Sequence, residues 1–321
     1  MRAIQVSEHG GPEVLRYVEV PDPQAGPGQL LVRTQASGIN FIDTYIRTGR
    51  YPQAVPYIPG SEGSGVVTAV GPDVTEFRVG DRVAWAAAPA SYAEQVVVPA
   101  AVAIPVPDGV DAPVAASALL QGMTAHYLIE SIYKPEPGES VLVHAGAGGV
   151  GLILTQLLAA RGVRVITTVS TDDKEKLSRD AGAAEVLRYD DDIAARAREL
   201  TDGAGVAATY DSVGASTFES SLAATRIRGM VALFGAASGP VPPFDLQRLN
   251  PLGSLFVTRP TLAHYTRDRA ELLWRAGDIM TAIADGRLHI RVGGSYPLAQ
   301  AEQAHRDLEG RRTTGSIVLV P

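Results

Sequence analysis

Two patterns of hydrophobic and polar positions follow one another along the chain. Up to about residue 120, short strand-like stretches with apolar residues are separated by Gly and Pro, for example at 2–6, 29–34, 64–70 and 93–98. Many short strands bounded by turn residues are typical of antiparallel sheets. The first third of the chain therefore predicts a mostly antiparallel β-domain.

From about residue 124 the pattern changes to strands that alternate with helices. Strands are predicted at 140–144, 164–169, 185–188, 207–211 and 230–234, with helices at 174–181, 193–201 and 216–227. This alternation predicts a doubly wound parallel sheet. Helices at about 268–285 and 298–310 precede a last strand at 316–320, and we expect this tail to return to the first domain. The expected boundaries are 1–123, 124–256 and 257–321, with a cleft between two closely packed domains.

A glycine loop joins the first strand of the second domain to its helix. Gly146, Gly148 and Gly151 have the G-x-G-x-x-G spacing, which permits a tight turn, a close approach to a pyrophosphate and close packing of helix on strand. The pattern predicts dinucleotide binding at the helix N-terminus. Residues 141–160 carry no charge, so a membrane span is an alternative. Four glycines, His144 and Gln156 argue against it, and a strand buried on both faces is expected to be apolar.

Composition narrows the class of protein. The 321 residues are 45% hydrophobic and 20% charged, as in soluble globular proteins, and the net charge of -7 disfavours broad binding to nucleic acid or membrane surfaces. The absence of cysteine excludes disulfides, thiolate zinc sites, iron–sulfur clusters and a cysteine nucleophile. The first ten residues lack the apolar core of a secretory signal, so we expect a cytoplasmic protein.

Several sequence blocks carry a family resemblance. They are His9–Leu15, Gly38–Arg47, Pro59–Gly65, Ala145–Gly151, Tyr210–Gly214 and Gly253–Pro260. On these blocks the chain resembles the zinc-free NADPH:quinone oxidoreductases of the medium-chain dehydrogenase/reductase superfamily, the zeta-crystallin-like group, and most of all its bacterial subgroup. The resemblance implies an α/β protein with a Rossmann sheet and a GroES-like β-domain. Zinc-dependent alcohol dehydrogenases of this superfamily have Cys where this chain has Ile39 or Asn40 and His in place of Ser61, so we expect no metal.

The residues after the second strand of the nucleotide domain bear on the choice of cofactor. An NAD site usually has an acidic residue there, whereas this strand is followed by Ser170. The resemblance assigns Ser170, Lys174 and Tyr189 to the 2′-phosphate of NADPH, which they can bind by charge and hydrogen bonds. Asp172 and Asp173 leave NADH as an alternative, although Asp at a helix start is ordinary capping. We predict NADPH.

The same resemblance and the strand-end positions supply the remaining site residues. The predicted cofactor contacts are Phe41, Asp43, Thr44, Tyr45, Tyr127, Gly146, Gly148, Gly149, Val150, Gly151, Ser212, Phe234, Gly235, Ala236, Ala237, Val257, Thr258, Arg259 and Arg311. Tyr51, Tyr127 and Phe234 are predicted to line the substrate pocket. Asn40 and Tyr45 are the predicted catalytic residues: both hydrogen-bond the acceptor oxygen, and Tyr45 or a water donates a proton. Alternatively, Phe41 belongs to the core and Asn40 bonds only the turn backbone.

These features predict an enzyme that reduces quinones with NADPH, without metal or flavin, in the cleft between the domains. The sequence leaves open whether the acceptor receives hydride or electrons in steps. One alternative is NADPH-dependent reduction of activated C=C bonds in alkenals, enones or enoyl thioesters. A non-enzymatic alternative is a crystallin-like structural or RNA-binding protein. We expect a homodimer that joins through the strand at 229–234, and neither a membrane nor a nucleic acid as partner.

Overall fold

The computed structural model describes every residue from Met1 to Pro321. The strands are β1 (Arg2–Gln5), β2 (Arg16–Glu19), β3 (Gln29–Ile39), β4 (Glu62–Val70), β5 (Arg82–Trp85), β6 (Gln95–Pro99), β7 (Ile104–Pro105), β8 (Ser140–Val143), β9 (Arg164–Val169), β10 (Glu185–Arg188), β11 (Val206–Asp211), β12 (Thr225–Leu233), β13 (Phe256–Thr258), β14 (Val292–Pro297) and β15 (Ser316–Val320). The α-helices are α1 (Phe41–Arg47), α2 (Ala112–Ala115), α3 (Leu119–Tyr127), α4 (Gly149–Ala159), α5 (Asp172–Asp180), α6 (Ile193–Glu199), α7 (Phe218–Ala224), α8 (Arg269–Ala284) and α9 (Ala301–Glu309).

The chain divides into two units. Unit 1 contains Met1–Gln121 and Arg267–Pro321, and unit 2 contains Gly122–Thr266. Residues 257–266, expected with the returning tail, lie in unit 2 because β13 pairs with β12 there. Unit 1 is therefore built from two separate stretches of the chain.

Unit 1 is a mostly antiparallel β-domain, as its short strands between Gly and Pro turns predict. Its main sheet has the order β14-β15-β3-β4-β5-β7, and β6 also pairs with β3. The last strand, β15, pairs with β3 so that Ile317 lies opposite Ile39. Inward side chains such as Leu30, Val83 and Trp85 form a fully buried core. The sheet thus holds β3, and α1 directly after it, in a fixed position.

Unit 2 is a parallel sheet with helices between successive strands. Its strand order is β10-β9-β8-β11-β12-β13, and every neighbouring pair is parallel. This is the Rossmann order, in which successive strands are added first to one side of β8 and then to the other. The prediction of a doubly wound sheet is confirmed. Because all six strands run in the same direction, the loops that follow them lie along one edge of the sheet, the edge formed by the carboxyl ends of the strands.

Two details of unit 2 differ from the sequence prediction. The helix predicted at 216–227 ends at Ala224, and β12 begins at Thr225, which pairs with Val206 of β11. Sheet pairing here overrides the local helical pattern. The strand predicted to lie at the dimer edge, 229–234, falls in β12 and is an inner strand, because β13 pairs with it on the outside. That part of the prediction is wrong.

The uncharged stretch 141–160 forms two short elements. Val141–Val143 belongs to β8, and α4 is only 11 residues long. Across the structure, no helix combines the length and apolar character that spanning a bilayer would require.

Candidate active site

The glycine loop of unit 2 has the geometry of a phosphate-binding turn. A Cβ atom at Gly146 would lie 2.5 Å from Cβ of Thr167, and one at Gly151 would lie 2.2 Å from the carbonyl oxygen of Ala145. Only glycine fits both positions. Helix α4 then begins at Gly149 with Gly148 as its N-cap, and no side chain caps it. The first N–H groups of α4, including those of Gly149 and Val150, are therefore suited to an anionic ligand.

The end of β9 carries a group of charged side chains. Lys174 Nζ lies 3.4 Å from Ser170 Oγ, and both residues follow β9. The side chain of Thr171 caps α5 by accepting from the Lys174 amide at 3.3 Å. The interpretation of Asp172 or Asp173 as the helix cap is therefore wrong. Both lie in the first turn of α5, where negative charge favours the helix dipole.

Arg188 is a residue that the sequence analysis missed. It ends β10, beside the end of β9, and its Nη2 lies 2.6 Å from both Asp172 Oδ1 and Glu175 Oε2. Arg188 Nη1 is buried and has no hydrogen-bond partner. The arginine thus balances two carboxylates next to Ser170 and retains unused donors. Its position immediately before Tyr189 at a strand end was the available signal.

Tyr189 reaches from the end of β10 towards the glycine loop. Its hydroxyl oxygen accepts a hydrogen bond from the Ala145 amide at 3.0 Å, and its ring stacks on His144. His144 itself is fully buried, with Nδ1 2.9 Å from Thr168 Oγ1 and Nε2 3.1 Å from Ser221 Oγ. Burial lowers the pKa of His144. This histidine is a structural part of the sheet.

The loops after β11, β12 and β13 meet at the same edge of the sheet. A Cβ at Gly235 would lie 2.3 Å from the Ser212 carbonyl oxygen, so the first two loops are in close contact. Arg259 Nη1 donates to the Phe234 carbonyl at 3.1 Å and ties in the third. Buried Asp211 accepts from the amides of Val213 and Gly214 at 2.8 and 2.9 Å and fixes the first loop. Ala236 and Ala237 continue the second loop.

The remaining predicted contacts are spread over both units. Val257 and Thr258 lie on the outer strand β13, and Arg311 follows α9 on the surface of unit 1. Tyr127 is buried in unit 2, with its ring stacked on Tyr265 at 4.5 Å between centroids. Burial raises the pKa of the Tyr127 phenol. Contact of these residues with a cofactor or substrate stays a prediction.

Helix α1 brings together the predicted residues of unit 1. Tyr45 lies between Phe41 and Tyr51, with ring centroids 5.7 and 5.6 Å away, and the Arg50 guanidinium lies 4.4 Å from the centre of the Tyr45 ring. Phe41 and Tyr51 are only partly buried. Thr44 is buried and donates to the Phe41 carbonyl at 2.7 Å. The structure thus forms an aromatic cluster from three of the predicted positions, with a cation that the sequence analysis did not include.

Asp43 is occupied inside unit 1. Its Oδ2 accepts hydrogen bonds from the Asn40 amide at 2.9 Å and from the Tyr92 hydroxyl at 2.8 Å. The carboxyl is almost fully buried, and burial raises its pKa to about 6. These contacts fix the start of α1, so they orient the residues around Asp43. A contact of Asp43 with the cofactor stays a prediction.

The side chain of Asn40 bonds to side chains that the sequence analysis did not single out. Its Nδ2 donates to Glu62 Oε2 at 2.6 Å, and its Oδ1 accepts from Gln121 Nε2 at 3.2 Å. Glu62 Oε1 accepts from the Leu120 amide at 2.7 Å. Burial raises the pKa of Glu62 to about 8. Glu62 lies within the sequence block Pro59–Gly65, but nothing in the sequence indicates which atom it meets.

The donor set does not fit a zinc ion. The structure contains no group of three or more His, Cys, Asp or Glu side chains placed to hold a metal. Ile39 and Ser61 offer no zinc ligand of the usual kind, and the Asn40 amide is committed to Glu62 and Gln121.

Comparison with known proteins identifies the family. Residues 26–108 match the alcohol dehydrogenase GroES-like domain, and residues 149–272 match the zinc-binding dehydrogenase family. A quinone oxidoreductase of Pseudomonas aeruginosa is 45% identical over 100% of this chain and 99% of its own length. A 2-haloacrylate reductase of a Burkholderia species is 40% identical over 99% of this chain and 98% of its own length.

A solved structure agrees with these sequence matches. A mycobacterial protein in complex with NADPH is 57% identical, covers 100% of both chains and superposes with a TM-score of 0.98. Its fold and full coverage match both units of this chain. The chain therefore belongs to the quinone oxidoreductase family of the medium-chain dehydrogenase/reductase superfamily.

Proposed function

We propose that this chain reduces quinones with NADPH and uses neither metal nor flavin. The observation that carries the proposal is the set of anion-binding features along one edge of the unit 2 sheet. The uncapped start of α4 suits a pyrophosphate, and Ser170, Lys174 and Arg188 suit a further phosphate group. The relatives named quinone oxidoreductase and the NADPH complex of the mycobacterial protein support the same function.

The residues present fit NADPH better than NADH. An NAD site uses a carboxylate at the end of the second strand to bind the ribose and to repel a 2′-phosphate. Here Ser170 occupies that position, and the nearby Asp172 carboxylate is bound to Arg188 at 2.6 Å. A 2′-phosphate could accept hydrogen bonds from Ser170 and Lys174, and the charge of Arg188 would attract it, which favours the phosphorylated cofactor.

NADPH supplies the hydride when it is bound, and this chain supplies position and hydrogen bonds. We assign Asn40 the role of donor to the acceptor oxygen on which negative charge develops. Tyr45, held between Phe41 and Tyr51, is the candidate proton donor, and a water could take its place. A quinone needs one hydride and one proton to become a hydroquinone. Its product oxygen is a stable phenolate, so the reaction makes little demand on the proton donor.

The test compares NADPH and NADH as donors against a panel of acceptors, followed by the absorbance of the reduced nicotinamide. The panel contains a benzoquinone, an ortho-quinone, an alkenal and an enoyl thioester. We expect turnover with the quinones and a preference for NADPH. A preference for NADH would contradict the roles of Lys174 and Arg188, and activity confined to the alkenal or thioester would replace the substrate while keeping the cofactor.

A second candidate function is the reduction of activated C=C bonds. The 2-haloacrylate reductase, whose name describes such a substrate, is 40% identical to this chain along its whole length. Reduction of a C=C bond needs a proton on carbon, so it depends more on a donor such as Tyr45. Tyr45→Phe should then lower turnover with alkenals more than with quinones. Tyr17→Phe, an exposed tyrosine of unit 1, is the matched control.

We further propose that the acceptor is a small electrophile and that the protein is a homodimer. The outer strand β13 has one unpaired edge, and Phe256 on it is 58% exposed. Ile227 is 72% exposed and lies in the part of β12 that precedes its pairing with β13 at Met230. Exposed apolar residues at an open sheet edge are typical of a surface that a second copy covers. Light scattering at working concentrations tests this, and a monomeric mass would contradict it.

A further inference from the structure

Four buried hydrogen bonds in unit 1 form one continuous chain through Asn40. Ser316 Oγ donates to Gln121 Oε1 at 2.6 Å, and Gln121 Nε2 donates to Asn40 Oδ1 at 3.2 Å. Asn40 Nδ2 donates to Glu62 Oε2 at 2.6 Å, and the Leu120 amide donates to Glu62 Oε1 at 2.7 Å. All four side chains are between 0% and 7% exposed, so water does not compete for these bonds.

Glu62 decides the direction of this chain once its carboxyl is ionised, which its pKa of about 8 places at mildly alkaline pH. An ionised carboxylate can only accept, and one of its oxygens already accepts from a backbone amide that cannot turn. Asn40 must therefore present Nδ2, and not Oδ1, to the other oxygen. Gln121 then has to present its own Nε2 to Asn40, and Ser316 donates to Gln121. One amide hydrogen on Asn40 Nδ2 is left without a partner in the protein.

We propose that Glu62 is a positioning residue that fixes the orientation of the Asn40 amide, so that an N–H and not the carbonyl oxygen is offered to the acceptor. The inference rests on the proposed function, because it takes Asn40 as the group that bonds the acceptor oxygen. A carbonyl oxygen in that place would repel the charge that develops there. Glu62 acts only through Asn40 and Gln121.

Ionisation of Glu62 makes the orientation depend on pH. A protonated Glu62 carries a hydrogen that it can donate, and Asn40 and Gln121 can then both turn over with every bond of the chain still made. Burial raises the pKa of Glu62 to about 8. The other titratable groups that act on this region are Asp43 on α1, with a pKa raised to about 6, and Tyr92, whose pKa burial raises further. As pH rises, Asp43 is ionised first, at about 6, and Glu62 is ionised at about 8. Because ionised Glu62 fixes the Asn40 amide with an N–H towards the acceptor, kcat should increase as pH passes about 8.

Two variants separate positioning from a structural role. Glu62→Gln keeps the shape of the side chain but donates to Asn40, which reverses the two amides. The double variant Glu62→Gln with Gln121→Glu lets the new carboxylate accept from both Asn40 and Ser316. Every buried group is then satisfied, but Asn40 stays reversed. Asn40→Ala measures what Asn40 itself contributes, and Glu19→Gln is the surface control for loss of a carboxyl in unit 1.

Above about pH 8 we expect both Glu62 variants to lower kcat for quinones by about a hundredfold, the lower end of what loss of one such donor costs. Their KM for NADPH should stay close to that of the wild type, and the rise of kcat through about pH 8 should disappear. Glu62→Gln should be at least as stable as the wild type at neutral and higher pH, because it does not bury a carboxylate. If the double variant recovered both the kcat and the stability of the wild type, the role of Glu62 would be purely structural and the proposal would be overturned. An unchanged kcat and pH profile in Glu62→Gln, with activity lost in Asn40→Ala, would also overturn it. Full activity in Asn40→Ala would instead refute the role proposed for Asn40, and the present inference with it.

Discussion

Replacing the cations at the ends of β9 and β10 should remove the preference for NADPH over NADH. Lys174 Nζ lies 3.4 Å from Ser170 Oγ, and Arg188 binds Asp172 and Glu175 at 2.6 Å each. Lys174→Gln removes one positive charge from this group. Arg188→Gln removes one as well and leaves two carboxylates without their counter-charge. The 2′-phosphate then meets added repulsion, so the second variant should have the larger effect.

The size of the effect follows from the exposure of these side chains. Two unit charges about 4 Å apart interact by about 1 kcal/mol in bulk water and by about 4 kcal/mol at an effective dielectric constant of about 20. Arg188 is 25% exposed, and Lys174 is likewise only partly buried, so solvent screens both. We expect a loss of about 1.4 kcal/mol of selectivity in Lys174→Gln, or about tenfold, and up to about a hundredfold in Arg188→Gln.

The assay is binding of 2′,5′-ADP and of 5′-AMP, measured by titration calorimetry. The two ligands differ only in the 2′-phosphate, so the ratio of their dissociation constants gives the contribution of that phosphate to binding without requiring turnover. The matched controls lie on the same helix, α5. Lys176→Gln is the control for Lys174→Gln because it makes the same charge change. Arg179→Gln is the control for Arg188→Gln because Arg179 also pairs with Glu175. The controls should retain the wild-type ratio of dissociation constants. Added salt should reduce that ratio in the wild type more than in the variants. Equal losses in Lys176→Gln and Lys174→Gln, or no loss in Arg188→Gln, would refute the reasoning.

Three further outcomes are expected. Tyr92→Phe should lower the free energy of unfolding by about 1–3 kcal/mol in urea, because a hydrogen bond to buried Asp43 is lost, whereas Tyr17→Phe should change it little. Phe256→Glu should shift the light-scattering mass to that of a monomer, and an unchanged dimer would place the interface elsewhere. As pH rises from 4.5 through about 8, the unfolding free energy of the wild type should fall by about 5 kcal/mol in total relative to that of Glu62→Gln. Burial raises the pKa of Glu62 in the folded state, so its stabilising contribution is complete below 4.5 and is lost through about 8; parallel curves would refute this.

Local sequence was sufficient for much of unit 2. The predicted strands at 164–169 and 185–188 coincide with β9 and β10, because both are short runs rich in β-branched and apolar residues between the turns and helices. The glycine loop could be predicted equally well, because its function depends on a backbone shape that the spacing of its glycines indicates. By contrast, β13 is only three residues long and exists by pairing with β12. Nothing in a stretch of three residues, two of them exposed, distinguishes a strand from a loop.

The side-chain network of unit 1 was beyond sequence reasoning. Asn40, Glu62, Gln121 and Ser316 come from four distant parts of the chain. They meet because β15 and β4 both pair with β3 and the start of α3 bonds to residues on all three elements or directly after them. The residue types alone permit many hydrogen-bond partners, and each would satisfy the same sequence. Arg188 was missed for a related reason: its partners Asp172 and Glu175 lie on another element, beside it only through the pairing of β9 and β10.

The energetics of Glu62 argue for a role beyond the fold. A carboxyl whose pKa is raised from 4.5 to about 8 by burial makes the folded protein less stable at neutral and higher pH than an uncharged side chain of the same shape would. Glutamine at position 62 could bond the Leu120 amide and, after reversal of two amides, Asn40 as well. What glutamine cannot do is act solely as an acceptor, as glutamate does once it is ionised above about pH 8. The one property that sets glutamate apart at this position is thus the one that fixes which end of the Asn40 amide is left for a ligand, and raised pKa values of this kind are concentrated at functional sites.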